Sequence, residues 1–215
     1  MTKFLFGMLL FLTPTFVRAG EPNAVLFSDN FEHGLGAHWQ QVKFGAPTDY
    51  HVVQEGTNFF LQASADKSCS AFTVKLNIKP PAKLTLRWRW KIDGVPTNGS
   101  ERVVSRFDHA ARVFIAFDTF IGPPRSLDYI WANEEKVGTI LSHPLSSRIQ
   151  LIMVESGNAR ADEWISEERD VVADWKKAFG HRAMSKIIGI GVLTDGDSLS
   201  CKLTGDYADI ELVSE

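Results

Sequence analysis

Alternation of apolar and polar side chains is clearest over residues 83–92. Leu84, Leu86, Trp88, Trp90 and Ile92 fall on one face of an extended chain, and Thr85, Arg87, Arg89 and Lys91 on the other. The same period of two returns over residues 112–118, where Val113, Ile115 and Phe117 alternate with Arg112, Phe114, Ala116 and Asp118. Shorter runs at 25–27, 50–53, 59–63, 71–78, 126–133, 147–155 and 207–213 are bounded by Gly, Asn, Asp and Pro, the residues of turns. Residues 187–194 are rich in β-branched side chains and carry Gly189 and Gly191, the pattern of a buried strand approached closely by another backbone. One stretch departs from this: over residues 167–179, Val171, Val172, Trp175 and Phe179 stand near helical spacing, and Gly180 follows where a helix C-cap belongs. About a dozen short strands, one helix and no internal repeat predict an all-β fold. The expected form is an antiparallel β-sandwich of jelly-roll type, with its helix near residues 167–179.

Ahead of these strands the pattern is different. Lys3 precedes an apolar run from Phe4 to Leu12, and Val17-Arg18-Ala19 sets up a cut before Gly20. That is the layout of a secretory signal peptide. The expected organisation is therefore a signal peptide over residues 1–19 and one sandwich domain over 20–215, in the periplasm or outside the cell. No later apolar run approaches the roughly 20 residues of a membrane-spanning helix, so no membrane span is expected in the mature chain. Charge changes the picture little. The chain has 23 Lys and Arg against 26 Asp and Glu, and the leader removes Lys3 and Arg18 but no acid. Such a mildly acidic chain is a poor binder of nucleic acid or of anionic membrane through charge alone. Two cysteines, Cys69 and Cys201, either form one bridge in an oxidising compartment or pack as free thiols.

Several segments stand in an order found elsewhere. They are Trp88-Arg89-Trp90, Asp108-x-x-Ala111-Arg112-Val113-x-Ile115-x-Phe117, Tyr129-x-Trp131, Ser156-Gly157, Arg169-Asp170-Val171 with Asp174, Phe179-Gly180, Asp195-x-Asp197 and Tyr207-x-Asp209-Ile210. In this the chain resembles bacterial secreted proteins of the domain-of-unknown-function 3047 family, from about Phe31 to Leu212. It departs from them in having Asp108 alone where the family tends to carry two acids. A looser resemblance is to galactose-binding-like jelly rolls that serve as carbohydrate-binding modules, through Phe31-Glu32-x-Gly34 with Trp39 and the Asp209-containing last strand. That resemblance implies that the first and last strands meet, bringing Glu32, Asp209 and Asp29 together as oxygen ligands for a structural Ca2+.

Candidate chemistry is concentrated on polar strand faces. If the strands carrying Arg89 and Arg112 are neighbours, Arg89, Arg112, Asp108 and Asp118 form a cationic patch whose guanidinium forks suit an acidic sugar. The alternative is that these arginines simply pair with Asp108, Asp118 or Glu155. Tyr129 and Trp131, beside Asp128, and Trp164, beside Asp162 and Glu163, are candidate sugar-stacking rings. Asp195-Gly196-Asp197 begins like a calcium loop but lacks the downstream Gly and Glu, and reads as a turn. No nucleophile elbow, zinc-binding His pair or phosphate loop is present, which leaves catalytic residues unassigned. Three functions remain in view. The first is a binding module for carbohydrate or another polar polymer of the cell envelope. The second is a polysaccharide lyase or glycosidase drawing on carboxylates such as Glu155, Glu163 and Asp118. The third is a structural envelope protein with no small ligand.

Overall fold

The computed structural model describes residues 24–214, so the expected signal peptide lies outside the described residues. Two sheets pack face to face. One is built from β1 (Ala24–Asp29), β3 (Asp49–Glu55), β4 (Asn58–Asp66), β6 (Leu84–Ile92), β11 (Ile165–Asp170) and β13 (Lys202–Ser214). The other contains β2 (Trp39–Lys43), β5 (Cys69–Ile78), β7 (Arg112–Phe117), β8 (Arg125–Ala132), β9 (Ile140–His143), β10 (Ser146–Ser156) and β12 (Ile187–Asp195). The six-stranded sheet runs β11-β6-β13-β4-β3, with β1 beside β13, and the seven-stranded sheet runs β2-β5-β12-β7-β8-β10-β9. The predicted sandwich is therefore present. Its pairs are antiparallel apart from β8 and β10, which run parallel.

The alternation in β6 does what its period dictates. Leu84, Leu86, Trp88, Trp90 and Ile92 are all buried between the sheets. Trp88 meets Tyr129 at 5.4 Å between ring centroids and Trp90 meets Trp131 at 5.7 Å, so the two layers are joined by aromatic rings. Each such large side chain contributes about 2–3 kcal/mol on burial. The segment before β7 lies tight against β13 at Gly205, where a Cβ would stand 2.3 Å from the Ala110 carbonyl oxygen. Beside it, the Tyr207 hydroxyl donates to the Leu193 carbonyl (2.9 Å) and accepts from the Arg112 amide (3.2 Å), tying β13 to both β12 and β7.

β13 is the organising strand. It pairs with β4 through Lys202–Tyr207, with β1 through Ile210–Ser214, and with β6 along its other flank. Its pairing with β6 slips between Ala208 and Glu211, and there Asp209 takes a φ of 48°. A bulge of this kind re-aims side chains on a sheet face.

The predicted helix begins later than its periodicity suggested. Residues 165–170 form β11, with Glu167 opposite Trp88 and Arg169 opposite Leu86, and the helix α1 spans Val171–Phe179. Asp170 sets the start, its carboxylate accepting from the Ala173 amide at 2.9 Å. Gly180, at φ 68°, closes the end as expected. Val171 and Trp175 bury the inner side of α1, and Arg169 clamps Asp174 through two hydrogen bonds of 2.9 and 2.8 Å.

Candidate functional site

The two arginines expected to share a face belong to different sheets. Arg89 is on β6 of the six-stranded sheet, and Arg112 is on β7 of the seven-stranded one. Similar alternation placed them together in the sequence, but the chain returns to the opposite layer between them. Arg112 is buried, ion-paired with Asp195, and its guanidinium lies 5.1 Å from the Phe107 ring centroid. Asp108 is also buried and accepts from the amides of Ser198 (3.1 Å) and Leu199 (2.6 Å), which fixes the turn before β13. Tyr129 and Trp131 are core residues with no exposed surface, and Asp118 is an exposed residue just past β7. Four of the expected ligand contacts are thus interior, and Asp118 stands apart from Arg89.

Around Arg112 a set of polar groups is packed in the interior, some paired and some not: among the described residues, Arg112 Nε, both His109 ring nitrogens and Asn133 Oδ1 are buried without a hydrogen-bond partner. Glu101 accepts from the amides of Asn133 (2.6 Å) and Glu135 (3.3 Å) and faces His109 at 3.5 Å. Burial pushes its carboxyl up, but His109 and the Asn133 amide outweigh that and bring it down to about 2. Cys69, Asp195 and Asp197 offer ligand atoms within 4.8 Å of one another. Asp195 is committed to Arg112 and to the His109 amide (2.9 Å), and burial, with Asp195 nearby, pushes the Cys69 thiol up to about 12. Cys69 and Cys201 are both free, so the bridge is not formed. Each thiol instead faces an acid, Asp195 at 3.9 Å and Asp108 at 4.0 Å.

The termini do meet, through β1 and β13. Asp29 lies opposite Ile210, next to Asp209. Its carboxylate accepts from the Phe31 amide (2.8 Å) and from the Trp39 indole (2.8 Å). Glu32 is exposed, accepts from the Asn30 side chain at 3.3 Å, and does not line the cleft that Asp29 and Asp209 share.

What the fold does assemble is a groove on the outward face of the six-stranded sheet. Arg87, Arg89 and Lys91 project there from β6, and the acids opposite them come from two other strands, β11 and β13. Arg87 pairs with Glu168 of β11 (2.7 Å) and Glu211 of β13 (3.5 Å). Arg89 donates to Asp209 of the bulge (2.5 Å) and to Asn58 of β4 (2.8 Å). Lys91 meets Asp206 at 3.1 Å, and Gln62 donates to the same carboxylate at 3.0 Å. Burial, only partly offset by Gln62 and Lys91, raises the Asp206 carboxyl. Trp164 lies over this network, half-buried, with Arg89 at 5.2 Å and Lys91 at 5.4 Å from its ring centroid and the Phe60 ring edge-on at 5.2 Å.

Two depressions run into each other here. One of about 310 Å³ lies between β6, β11 and β13, and one of about 570 Å³ lies between β13 and the loop after β1; both are lined by Asp209 and Glu211. The bulge at Asp209 is the ridge that joins them. Sequence reasoning had picked out Arg89, Asp209, Asp29 and Trp164. It missed Asn58, Glu168 and Glu211, whose only signal is a polar residue at an outward strand position.

Fold and groove together define the class: a two-sheet β-sandwich with a charge-lined groove across one sheet. The chain belongs to the family described as "Protein of unknown function (DUF3047)", which matches residues 37–211. No curated protein matches the chain. Among solved structures it is similar in fold to the carbohydrate recognition domain of Emp47p, at 11% identity and a TM-score of 0.51, over 91% of this chain and 98% of that one. A tandem of two family-22 carbohydrate-binding modules from Paenibacillus barcinonensis Xyn10C aligns at 12% identity with a TM-score of 0.48, over 92% of this chain and 51% of that one. The K3 cleaved adhesin domain of Lys-gingipain from Porphyromonas gingivalis aligns at 10% identity with a TM-score of 0.45, over 89% and 99%.

Proposed function

We propose that this protein is a carbohydrate-binding module of the periplasm or cell exterior, and that its ligand lies in the groove across the six-stranded sheet. The observation that carries the reading is the groove itself, in which Arg87, Arg89, Asp209 and Glu211 are held in fixed pairs beside the Trp164 ring. A sugar presents a fringe of hydroxyl donors and acceptors around an apolar face. Preorganised forks and carboxylates match the fringe, and an indole matches the face.

The charges also select the sugar. Arg87, Arg89 and Lys91 already face Glu168, Glu211, Asp209 and Asp206, so among the described residues the groove holds no surplus cation to attract a uronate or sulfate. Neutral, hydroxyl-rich polysaccharide fits it better than an acidic one. Affinity electrophoresis through gels containing neutral or uronate-rich polysaccharide tests this. The protein is expected to be retarded by a neutral polymer, and Trp164→Ala to lose that retardation by about tenfold in apparent affinity, the equivalent of 1–2 kcal/mol of lost ring contact. Retardation only by uronate-rich polymer, or undiminished retardation of a folded Trp164→Ala protein, would overturn the reading.

A further inference from the structure

We propose that one pole of the sandwich docks onto an anionic lipid surface. The topology gathers four connections at that pole. β10 runs parallel to β8, so the β9–β10 turn lies at the same end as the β7–β8 loop. Ile187 is paired with both Phe117 and Ile78, which brings the loops before β12 and after β5 to that end too.

Its apolar groups stand away from the protein. Phe120 and Ile121, at the tip of the β7–β8 loop, are 102% and 77% exposed, and Leu145, in the β9–β10 turn, is 72% exposed. The loop is braced in this position. The Thr119 hydroxyl donates to the carbonyls of Gly122 (2.8 Å) and Pro123 (3.1 Å), and Arg148 donates to those of Pro123 (3.0 Å) and Ile121 (3.4 Å). Behind the tip, a shallow cleft of about 540 Å³ lined by Pro81, Val172 and Met184 adds further apolar surface between Lys79 and Lys186.

The surrounding charge has one dominant sign. Arg182 and Arg148 both act on Arg125, and burial first and these two charges next push its guanidinium down. Among the described residues, none of Lys79, Arg125, Arg148, Arg182 and Lys186 makes an ion pair. The loop's own acid, Asp118, is at its base, where its backbone is bonded to Lys186 and Ser185. The chain carries a net charge of −3, so the cationic character is local to this pole. Apolar side chains at the tips of two separate turns, ringed by guanidinium and ammonium groups, fit a medium that flows around them and bears anionic headgroups at the level of the cations.

Flotation with lipid vesicles tests the proposal on the whole protein. Wild type is expected to float with vesicles of phosphatidylglycerol and phosphatidylcholine, and several-fold more weakly with phosphatidylcholine alone or when salt is raised from about 0.05 M to about 0.5 M. Joint substitution Phe120→Ser and Ile121→Ser is expected to weaken flotation at least about tenfold, through loss of buried apolar area. Joint substitution Arg125→Gln and Arg182→Gln is expected to weaken it about fivefold or more. Phe44→Ser removes a ring that is 66% exposed at the opposite pole, beside Cys69, and is expected to change nothing. The proposal is overturned if wild type does not float with the anionic vesicles, or if the tip variant floats as wild type does. It is also overturned if wild type stays in the aqueous phase as a dimer that the tip variant dissolves, which would assign the tip to a protein contact.

Discussion

Glu167 is an inward-facing carboxyl at the open edge of the sandwich, on β11 opposite Trp88. Burial first and repulsion from Glu155 second push it up to about 7, from an ordinary value of 4.5. The folded protein therefore holds a proton that the unfolded chain releases near pH 4.5, and stability falls as pH rises through the window from about 4.5 to about 7. The cost is fully present above that window and absent below it. Solvent at this half-buried position screens the effect to about 1 kcal/mol. Glu167→Gln is accordingly expected to gain about 1 kcal/mol over wild type near pH 8 and nothing near pH 4, measured as the difference between two urea-unfolding series. An unchanged difference across that range would mean that Glu167 titrates normally. No pattern in the sequence marks this residue, because its environment is made by a strand from each sheet.

At the scale of elements, β6 and β7 could be read directly, since the inward face of each packs in the apolar layer between the sheets and the alternation survives. β11 could not. Its inward positions are Ile165, Glu167 and Arg169, and the last two are polar because they sit at the rim of the sandwich rather than in its centre. Charge on both faces erased the period of two, and the segment was absorbed into the helix that follows. Asp170 is where the structure separates them. Asp170→Ala removes the side-chain acceptor for the Ala173 amide and is expected to cost about 1 kcal/mol in urea unfolding, with an unchanged denaturant dependence. Asp170→Asn, which keeps an acceptor oxygen, is expected to recover most of that loss.

At the scale of the whole molecule, the sequence carried the sandwich but not the assignment of strands to layers. β6 and β7 have the same alternation, and nothing local states that one faces outward from the six-stranded sheet while the other is capped by residues 101–109. Arg112 and Asp108 became interior for that reason, and Tyr129 and Trp131 because β8 turns them inward against Trp88 and Trp90, whereas Arg89, Asp209 and Asp29 were gathered along β13. The groove depends on long-range pairings. Arg89 and Asp209 are 120 residues apart, and Arg87 and Glu211 are 124 apart. The central claim, that this outward face is the ligand site, is tested most directly by titrating a neutral oligosaccharide into ¹⁵N-labelled protein and following the six tryptophan indole resonances. The account predicts that the Trp164 indole shifts in a saturable way while those of Trp88, Trp90, Trp131 and Trp175, buried in the core, stay in place. A stationary Trp164 while the sugar is demonstrably bound would contradict it.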